Sequence, residues 1–312
     1  LVLFMREYCL KKKCRCYIVS LSGGVDSMVI ASILHMLKFE VICVHINYNN
    51  RPESLAEAKF LQQWCAHNNI RFVLKNIDFA KRGEINRNFY EKKTRQIRFD
   101  FYKKIIEESN GDSICLGHHD DDIIENIVSN ISNGNDLTDL VVMSKESIIH
   151  DVPISRPLIG KRKQDVFHFA HTHKIPYFKD TTPCWSVRGK LRNQVLPAMR
   201  HTYHNLDLNL LKVAEQSKEL QLLIEHCIFL PFMKNITFEE DFVMIPFNND
   251  APFIFWKLLM KRIFWKYGLS QPSHKNIQQF YENLKTGKKT KIGKCCSEVY
   301  VDEYKILLRI TK

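Results

Sequence analysis

A short glycine-containing turn constrains this chain more than any other segment. The apolar run Tyr17–Val19 predicts a buried strand, and the recurring apolar residues between Met28 and Leu37 predict a largely buried helix. Between them lies Ser22–Ser27, with the sequence SGGVDS. Its two glycines allow a positive φ and a close approach of the backbone to a ligand. The free N–H groups at the start of the helix, together with the serine hydroxyls, favour an anion there.

Strand and helix patterns alternate through the first half of the chain. Further strands are predicted at Phe39–Tyr48, Ile70–Ile77, Asp112–His119 and, with a loop, Ser147–Ile159. Helices are predicted at Glu53–Asn69, within Lys81–Ser109 after a loop, at Asp120–Ser132 and at Arg162–Lys174. This alternation predicts an α/β fold in which a parallel sheet is covered by helices on both faces.

The candidate site segments each follow a predicted strand. These segments are Ser22–Ser27, His45–Arg51 and Gly117–Asp122. Because ligands of such sheets bind in the crevice at the carboxyl ends of the strands, we expect the three segments to meet there.

The pattern changes after Pro197, which predicts a domain of residues 1–200 and a smaller helical and mixed region of residues 201–312. Helices are predicted there at Asp207–Phe229, Pro252–Gly268 and Ser273–Gly287, with strands at Phe242–Phe247 and around Ser297–Ile310. We expect the aromatic cluster of Pro252–Gly268 to form core.

Composition limits the classes of function. The net charge of +12 and the pI near 9.1 favour a polyanionic partner such as nucleic acid, with a merely basic surface as the alternative. No apolar run is long enough to span a bilayer. The ten cysteines include no CxxC pair, which disfavours structural zinc and favours a reducing compartment. We expect a cytoplasmic protein, with an organelle address left open.

The turn SGGVDS resembles the pyrophosphate loop of the N-type ATP pyrophosphatases, the PP-loop superfamily. It differs from a Walker-type loop because it has no lysine and contains an aspartate. The resemblance implies ATP and Mg²⁺ as cofactors, with AMP transferred to an oxygen and Asp26 near the metal. The residues that it implies for nucleotide binding are Ser22, Gly23, Gly24, Val25, Asp26 and Ser27. Backbone N–H donors suit the charge that develops on a departing pyrophosphate.

Four further stretches resemble the tRNA(Ile)-lysidine synthetases. They are VHINYNNR (Val44–Arg51), TRQIRF (Thr94–Phe99), LGHHDDDIIEN (Leu116–Asn126), and Arg156–Thr182 followed by Arg188–Pro197. Tyr48 and Asn49 depart from the family pattern, as do Gly189 and Pro183, where the family has asparagine. The resemblance is strongest over residues 17–197, and a weaker likeness continues into GLSQPSHKNIQQFYENL. It implies the fold of the adenine nucleotide alpha hydrolases.

Two acidic residues form the expected catalytic face. Asp122 and Glu125 are three apart on a predicted helix and share one side of it. Next to a strand end, with His119 before them, they can bind an ammonium group or Mg²⁺. The alternative is an acidic first turn that the helix dipole favours. With Asp26, these three residues are the predicted catalytic set.

Basic and polar residues complete the predicted site. Arg95 and Arg98 lie about one turn apart, as do Arg188 and Arg192, and both pairs suit phosphate of ATP or tRNA. A solvated basic face explains the first pair nearly as well. His45 and Asn47 follow a strand at the crevice, where they are expected to contact adenosine.

The resemblance implies ATP-dependent ligation of lysine to C2 of the wobble cytidine of a tRNA(Ile) with a CAU anticodon, through an adenylated base. The expected partners are tRNA and free lysine, with no membrane, and a homodimer is compatible with the sequence. Three alternatives stay open. A tRNA thiolation enzyme needs a reactive cysteine, for which Cys115 and Cys184 lie near candidate segments. A GMP synthetase does not need the long basic second half. An inactive relative binds tRNA without catalysis.

Overall fold

A computed structural model describes residues 1–50, 52–78, 86–141, 143–180, 182–247, 250–286, 292, 296–301 and 305–310. Parts of five predicted segments lie outside these residues. They are Arg51 in the second candidate segment, residues 81–85 at the start of the predicted loop and helix Lys81–Ser109, residue 181 within Arg156–Thr182, Gly287 at the end of a predicted helix, and residues 302–304 within the strands predicted around Ser297–Ile310. The described chain forms two compact units, Leu1–Ser217 and Lys218–Lys312.

The first unit alternates strands and helices. Its strands are β1 (Cys16–Ser20), β2 (Glu40–Asn47), β3 (Arg71–Asn76), β4 (Ile114–Cys115), β5 (Glu146–Ile149) and β6 (Val152–Ser155). Its helices are α1 (Val2–Lys12), α2 (Val25–Met36), α3 (Ser54–His67), α4 (Arg87–Ser109), α5 (Asp120–Ser132), α6 (Lys163–Thr172), α7 (Val187–Lys190) and α8 (Leu196–Thr202). A 3-10 turn spans Leu137–Asp139 and a π turn spans Leu191–Val195.

The sheet of this unit is mostly parallel, which confirms the predicted fold class. Within the described residues its order is β3-β2-β1-β4-β6-β5, and all neighbours run parallel except β5 and β6. Alternate residues of β1 pack on opposite sides, as the pleat of a strand requires. Tyr17 and Val19 join the core around α2, whereas Cys16 and Ile18 join the core around α4.

The strand and loop predicted at Ser147–Ile159 form a hairpin instead. The two residues between β5 and β6, His150 and Asp151, both have positive φ, at 50° and 62°. A two-residue turn of this kind matches the twist of antiparallel strands, but it normally carries Asn-Gly or Asp-Gly. A His-Asp turn therefore gives little signal in the sequence.

The strands that carry the candidate segments end at one edge of the sheet. β1 ends at Ser20, β2 ends at Asn47, and β4 ends at Cys115. β4 is much shorter than the predicted strand Asp112–His119, because the chain leaves the sheet after Cys115 and His119 becomes the residue before α5. The early exit brings the start of α5 beside the start of α2.

The boundary between the two units lies inside helix α9 (Leu206–Ile224), because the first unit ends at Ser217 and the second begins at Lys218. The predicted boundary at residue 200 falls before this helix, whose first half packs on α5. Leu206 shares a core with Ile124, and Ala214 shares another with Ile123. This apolar packing explains why the division of the chain comes at Ser217 rather than at the change of pattern after Pro197.

The remaining elements form a small mixed unit. They are a π turn (Glu225–Phe229), α10 (Leu230–Met233), β7 (Thr237–Phe238), β8 (Phe242–Pro246), α11 (Phe253–Lys266), α12 (His274–Thr286), β9 (Cys296–Val301) and β10 (Lys305–Ile310). The strands pair antiparallel in the order β7-β8-β10-β9. Trp256 and Phe264 are buried in the core of the unit, whereas Trp265 is 79% exposed.

The single helix predicted at Asp207–Phe229 is interrupted by a π turn. Glu225–Phe229 precedes α10, whose second residue is Pro231, and the other π turn, Leu191–Val195, precedes α8 with Pro197 at the same position. Proline lacks an N–H and its ring clashes with the carbonyl one turn back, so a widened turn before it relieves both problems. Among the described residues, no helix is long and apolar enough to cross a membrane.

Candidate active site

The turn Ser22–Ser27 joins β1 to α2 and is organised by its own hydroxyls. Ser27 Oγ accepts the N–H of Ser22 at 3.2 Å and donates to the carbonyl of Gly24 at 3.0 Å. The N–H of Gly24 donates to Ser22 Oγ at 3.3 Å. Among the described residues no side chain caps α2. Helix geometry leaves the N–H groups of Val25, Asp26 and Ser27 without an intrahelical acceptor, which suits an anion.

Only glycine suits position 23, both because of its backbone conformation and because of the side chain packed against it. Its φ is +83°, and a Cβ at this position would lie 2.3 Å from the ring of Phe178. The carbonyl of Gly23 also accepts the N–H of Phe178 at 2.8 Å. The turn is thus fixed against the segment that follows α6.

The start of α5 approaches the start of α2 closely. A Cβ at Gly117 would lie 2.8 Å from Cβ of Asp26, so only glycine fits between β4 and the turn. His119 bridges the two helices, with Nε2 3.7 Å from Oδ1 of Asp26 and 3.4 Å from Oδ2 of Asp122. The structure therefore brings together three of the four predicted catalytic residues, and the side chain of His119 is buried between the carboxylates.

Glu125 completes this face and is neutralised by the predicted phosphate-binding arginines. Arg188 Nε donates to Glu125 at 2.9 Å and its Nη2 contacts Asp122. Arg192 donates to Glu125 at 2.7 Å and to Asp180 at 2.6 Å. Asp122 and Glu125 are buried, whereas 54% of the Arg188 side chain is exposed. The acidic pair Asp122 and Glu125 and the basic pair Arg188 and Arg192 thus form a single cluster, although they lie far apart in the sequence.

Lys163 was not identified from the sequence, although it contacts the predicted phosphate turn. Its Nζ lies 2.5 Å from Oδ2 of Asp26. Its position at the start of α6 is fixed by its backbone N–H, which donates to Asp121 at 2.7 Å. The only signal was its place in the basic run Lys161–Lys163, where the sequence does not distinguish one residue from its neighbours.

The first two aspartates of α5 have structural partners. Asp120 accepts the N–H of Gly160 at 2.7 Å. Asp121 pairs with Arg162 at 2.7 Å, and Arg162 also reaches Asp207 at 2.6 Å. Burial raises the pKa of Asp121, but hydrogen bonds from Arg162 and from the N–H of Lys163 outweigh it and bring the pKa to about 2. Asp121 therefore ties α5 to α6.

His45 and Asn47 lie beside the turn at the end of β2. His45 Nδ1 is 2.7 Å from the carbonyl of Leu21, and burial lowers the pKa of its imidazole. Asn47 accepts the N–H of Asn49 through Oδ1 at 3.0 Å. Its buried Nδ2 has no hydrogen-bond partner among the described residues. A buried amide donor at this edge suits recognition of a nucleobase.

Arg95 and Arg98 project from α4, and in the described part of the chain neither forms a hydrogen bond or ion pair with the cluster around Asp26. Both guanidinium groups lie over Phe99, at 5.3 and 5.5 Å from the ring centre. Arg95 is exposed and Nε donates to His150 at 3.2 Å. Burial raises the pKa of Tyr48, and the nearby charge of Arg98 opposes that rise. Arg98 is therefore near the end of β2, while Arg95 points to the β5–β6 turn.

Comparison with known proteins identifies the first unit. A family model described as the PP-loop domain matches residues 4–199. The chain belongs to the PP-loop family. A tRNA(Ile)-lysidine synthase of Chlamydia trachomatis serovar L2 is 28% identical over 283 residues, which cover 89% of this chain and 86% of that protein.

Another tRNA(Ile)-lysidine synthase, from Oceanobacillus iheyensis, is 28% identical over 261 residues. The matched region covers 80% of this chain but only 55% of that longer relative. Among solved structures, the U34-tRNA thiolase NcsA of Methanococcus maripaludis has a TM-score of 0.52 at 19% identity, covering 66% of this chain and 72% of that one, which shows a shared fold. These matches confirm the predicted PP-loop fold, the predicted resemblance to tRNA(Ile)-lysidine synthetases and the prediction that the chain is a ligase.

Membership of the PP-loop family implies ATP use, and Asp26 fits the Mg²⁺ expected with it. Oδ1 of Asp26 is buried and has no hydrogen-bond partner among the described residues. No group of three or more His, Cys, Asp or Glu side chains in the described part of the chain could hold a metal ion. Magnesium commonly binds one or two carboxylates together with substrate phosphates, so Asp26 suits an ion that arrives with a nucleotide.

Gly189 and Pro183, two of the departures from the tRNA(Ile)-lysidine synthetase pattern, lie against each other. A Cβ at Gly189 would lie 2.2 Å from the carbonyl oxygen of Pro183. No asparagine fits at residue 189 with the backbone of Pro183 in this place. Both departures are compatible with the contact between the neighbouring Arg188 and Glu125.

Proposed function

We propose that this chain ligates lysine to C2 of the wobble cytidine of a tRNA(Ile) with a CAU anticodon and forms lysidine. One observation carries the proposal: His119 bridges Asp26 of the phosphate turn and Asp122 of the acidic face at 3.7 and 3.4 Å. A nucleotide at the turn and an amine at the acidic face would then lie on either side of one base. The similarity to proteins named tRNA(Ile)-lysidine synthase supports the choice of substrates.

The first step is adenylation of the base. O2 of the cytidine attacks the α-phosphorus of ATP, the new O–P bond replaces the bond to the β-phosphate oxygen, and pyrophosphate leaves. In this proposal the N–H groups of Val25, Asp26 and Ser27, at the start of α2, donate hydrogen bonds to the negatively charged leaving group. Mg²⁺ at Asp26 would supply further charge neutralisation. Asn47 Nδ2 is available to donate to the adenine.

The second step forms the carbon–nitrogen bond. The ε-amine of lysine attacks C2 of the adenylated base, the C2–O bond breaks, and AMP leaves. Because the ammonium group has a pKa of roughly 10.4, it must first lose a proton at the site. Asp122, Glu125 and His119 are the candidate acceptors, and the two carboxylates are also suited to hold the ammonium before it reacts.

The arginines and the overall charge suit the RNA. Arg188 reaches solvent while contacting the acidic face, and Arg95 and Arg98 form a second basic position on α4. Guanidinium groups bind phosphate with defined geometry, and the net charge of +12 favours RNA in general. The four arginines are therefore proposed to bind tRNA or nucleotide phosphate.

The direct test is mass analysis of tRNA nucleosides after incubation of the protein with ATP, Mg²⁺, lysine and unmodified tRNA(Ile). The expected product is lysidine, formed only when both ATP and lysine are present. A sulfur-containing pyrimidine formed with a sulfur donor would favour the thiolation alternative. Retained tRNA binding with no modified nucleoside and no pyrophosphate release would identify an inactive relative.

A further inference from the structure

We propose that Lys163 is a phosphate-binding residue of the nucleotide site, held by Asp26 until a phosphate takes its place. The inference rests on the proposed use of ATP at the turn Ser22–Ser27. It adds a residue from α6 to a site otherwise built from β1, α2, β2 and α5.

The position of the ammonium group is well defined. Nζ of Lys163 lies 2.5 Å from Asp26, and 29% of its side chain is exposed, so the pair is at the margin of solvent. Asp121 accepts the backbone N–H of Lys163 at 2.7 Å and holds Arg162 beside it. The base of the side chain is thereby anchored, while its charged end remains able to move by bond rotations.

The charge balance favours a phosphate as the ligand of Lys163. The turn has no lysine of its own, yet a leaving pyrophosphate needs a nearby cation. Lys163 supplies one directly at the carboxylate of the turn. When the ammonium moves to a phosphate oxygen, both oxygens of Asp26 become available, and Oδ1 already has no hydrogen-bond partner among the described residues.

The ammonium group makes a second contact in the same position. It lies 5.3 Å from the ring centre of Phe167, within the range of a cation–π interaction. Asp26 and Phe167 therefore hold the positive charge together at the edge of the turn, where a phosphate oxygen can approach it.

Calorimetric titration of the protein with inorganic pyrophosphate and with α,β-methylene-ATP tests the proposal without tRNA or lysine. Lys163→Met should weaken binding of both ligands about 10- to 100-fold, as expected for a hydrogen bond to a charged group. Lys163→Arg should restore most of the affinity. Lys161→Met is the matched control, because Lys161 lies over Phe4 and not at Asp26, and it should bind like the wild type.

Wild-type affinity in a folded Lys163→Met variant would overturn the proposal. If that variant does not fold, lysine acetylation of the wild-type protein decides the matter by peptide mass analysis. Pyrophosphate should slow acetylation of Lys163 and not of Lys161. Equal rates of acetylation at Lys163 with and without pyrophosphate would contradict the proposed phosphate-binding role. Lysidine formation combined with Lys163-independent binding would refute this inference alone. Lys163-dependent binding without lysidine would refute only the proposed ligation.

Discussion

Arg188 donates from Nε to Oε2 of Glu125 over 2.9 Å, across 63 residues of sequence. The side chain of Glu125 is 7% exposed and that of Arg188 is 54% exposed. The carboxylate proposed to receive the ammonium of lysine is therefore already paired with a guanidinium that reaches solvent. Lysine must compete with Arg188 unless another anion draws the arginine away, and a tRNA phosphate is such an anion.

Replacing Arg188 with glutamine should consequently change the affinities for lysine and for tRNA in opposite directions. Lysine should bind with a KM roughly two- to fivefold lower, because ion pairs with an exposed partner contribute about 0.2–1 kcal/mol. tRNA should bind more weakly, with a salt dependence reduced by about one phosphate contact. The checks are lysine titration in the nucleoside assay and filter binding of tRNA at several salt concentrations.

Lys190→Gln is the control, since its α7 neighbour Arg188, and not Lys190, makes the contacts with the acidic face. It should leave the lysine KM unchanged. If Arg188→Gln raises the lysine KM, the arginine helps to build the lysine site rather than competing for it.

Asp26→Ala should separate adenylation from RNA binding. The change removes the carboxylate that faces Lys163 and His119, so pyrophosphate release should fall by about 100-fold or more, as for loss of a transition-state contact. tRNA affinity should stay within about twofold, because the residue is part of the nucleotide turn. Pyrophosphate release and filter binding measure the two effects.

Asp100→Ala serves as the comparison, as this exposed α4 residue accepts only a hydrogen bond from Gln96 among its described contacts. Its rate should equal that of the wild type. A full rate in Asp26→Ala would remove the turn from the mechanism.

Much of the first unit could be predicted because its signals are local. The alternation of apolar residues places β1, β2, α2 and α5 within a few residues of their observed ends, and the sheet order brings their site segments to one edge. Asp26, His119 and Asp122 could be grouped for the same reason. Each follows a strand, and parallel strands end together.

Contacts made only by tertiary folding could not be predicted. Lys163 lies 137 residues from Asp26, and its neighbours Lys161 and Arg162 are equally basic. The pairing of Arg188 with Glu125 depends on where α7 lies, and a sequence period carries no information about that. Likewise, the apolar face of α9 gave no sign that its first half packs on α5.

Asp121 should make stability depend on pH at the acidic end. Its pKa in the folded protein is lowered from 3.8 to about 2, so the ionised form stabilises the fold above about pH 4. That contribution is lost as the pH falls from about 4 to about 2. Asp121→Asn should therefore lower the free energy of unfolding at pH 7 and reduce the further loss between pH 4 and pH 2.5, measured by urea unfolding.

Glu108→Gln is the reference for this series, because Glu108 makes an exposed pair with Lys104 within α4. It should follow the wild-type pH profile. A profile for Asp121→Asn parallel to that of the wild type at all three pH values would mean that Asp121 does not titrate differently on folding.

The cysteines give a test against thiolation. Cys115 is fully buried in β4, and burial raises the pKa of its thiol, whereas Cys184 and Cys227 are exposed. N-ethylmaleimide should label Cys184 and Cys227 in the native protein and Cys115 only after denaturation, as read by peptide mass. Cys184→Ser should keep the wild-type rate of lysidine formation. Loss of activity in this variant, with its fold intact, would favour a chemical role for the thiol.

Gly189 and Pro183 should show coupled effects on stability. A Cβ at Gly189 would lie 2.2 Å from the carbonyl oxygen of Pro183 and 3.1 Å from Cα of Cys184, which are backbone atoms that cannot turn aside. Gly189→Asn should therefore destabilise the fold by about 1–3 kcal/mol, as overpacking does, and should lower activity by displacing Arg188.

Proline restricts its own φ, so Pro183→Asn should let this backbone relax and make room for the side chain at residue 189. The double variant should then lose less stability than the sum of the two single changes, with an interaction of at least about 0.5 kcal/mol in urea unfolding. Strictly additive costs would show that the carbonyl stays in place without proline and that the two departures are independent.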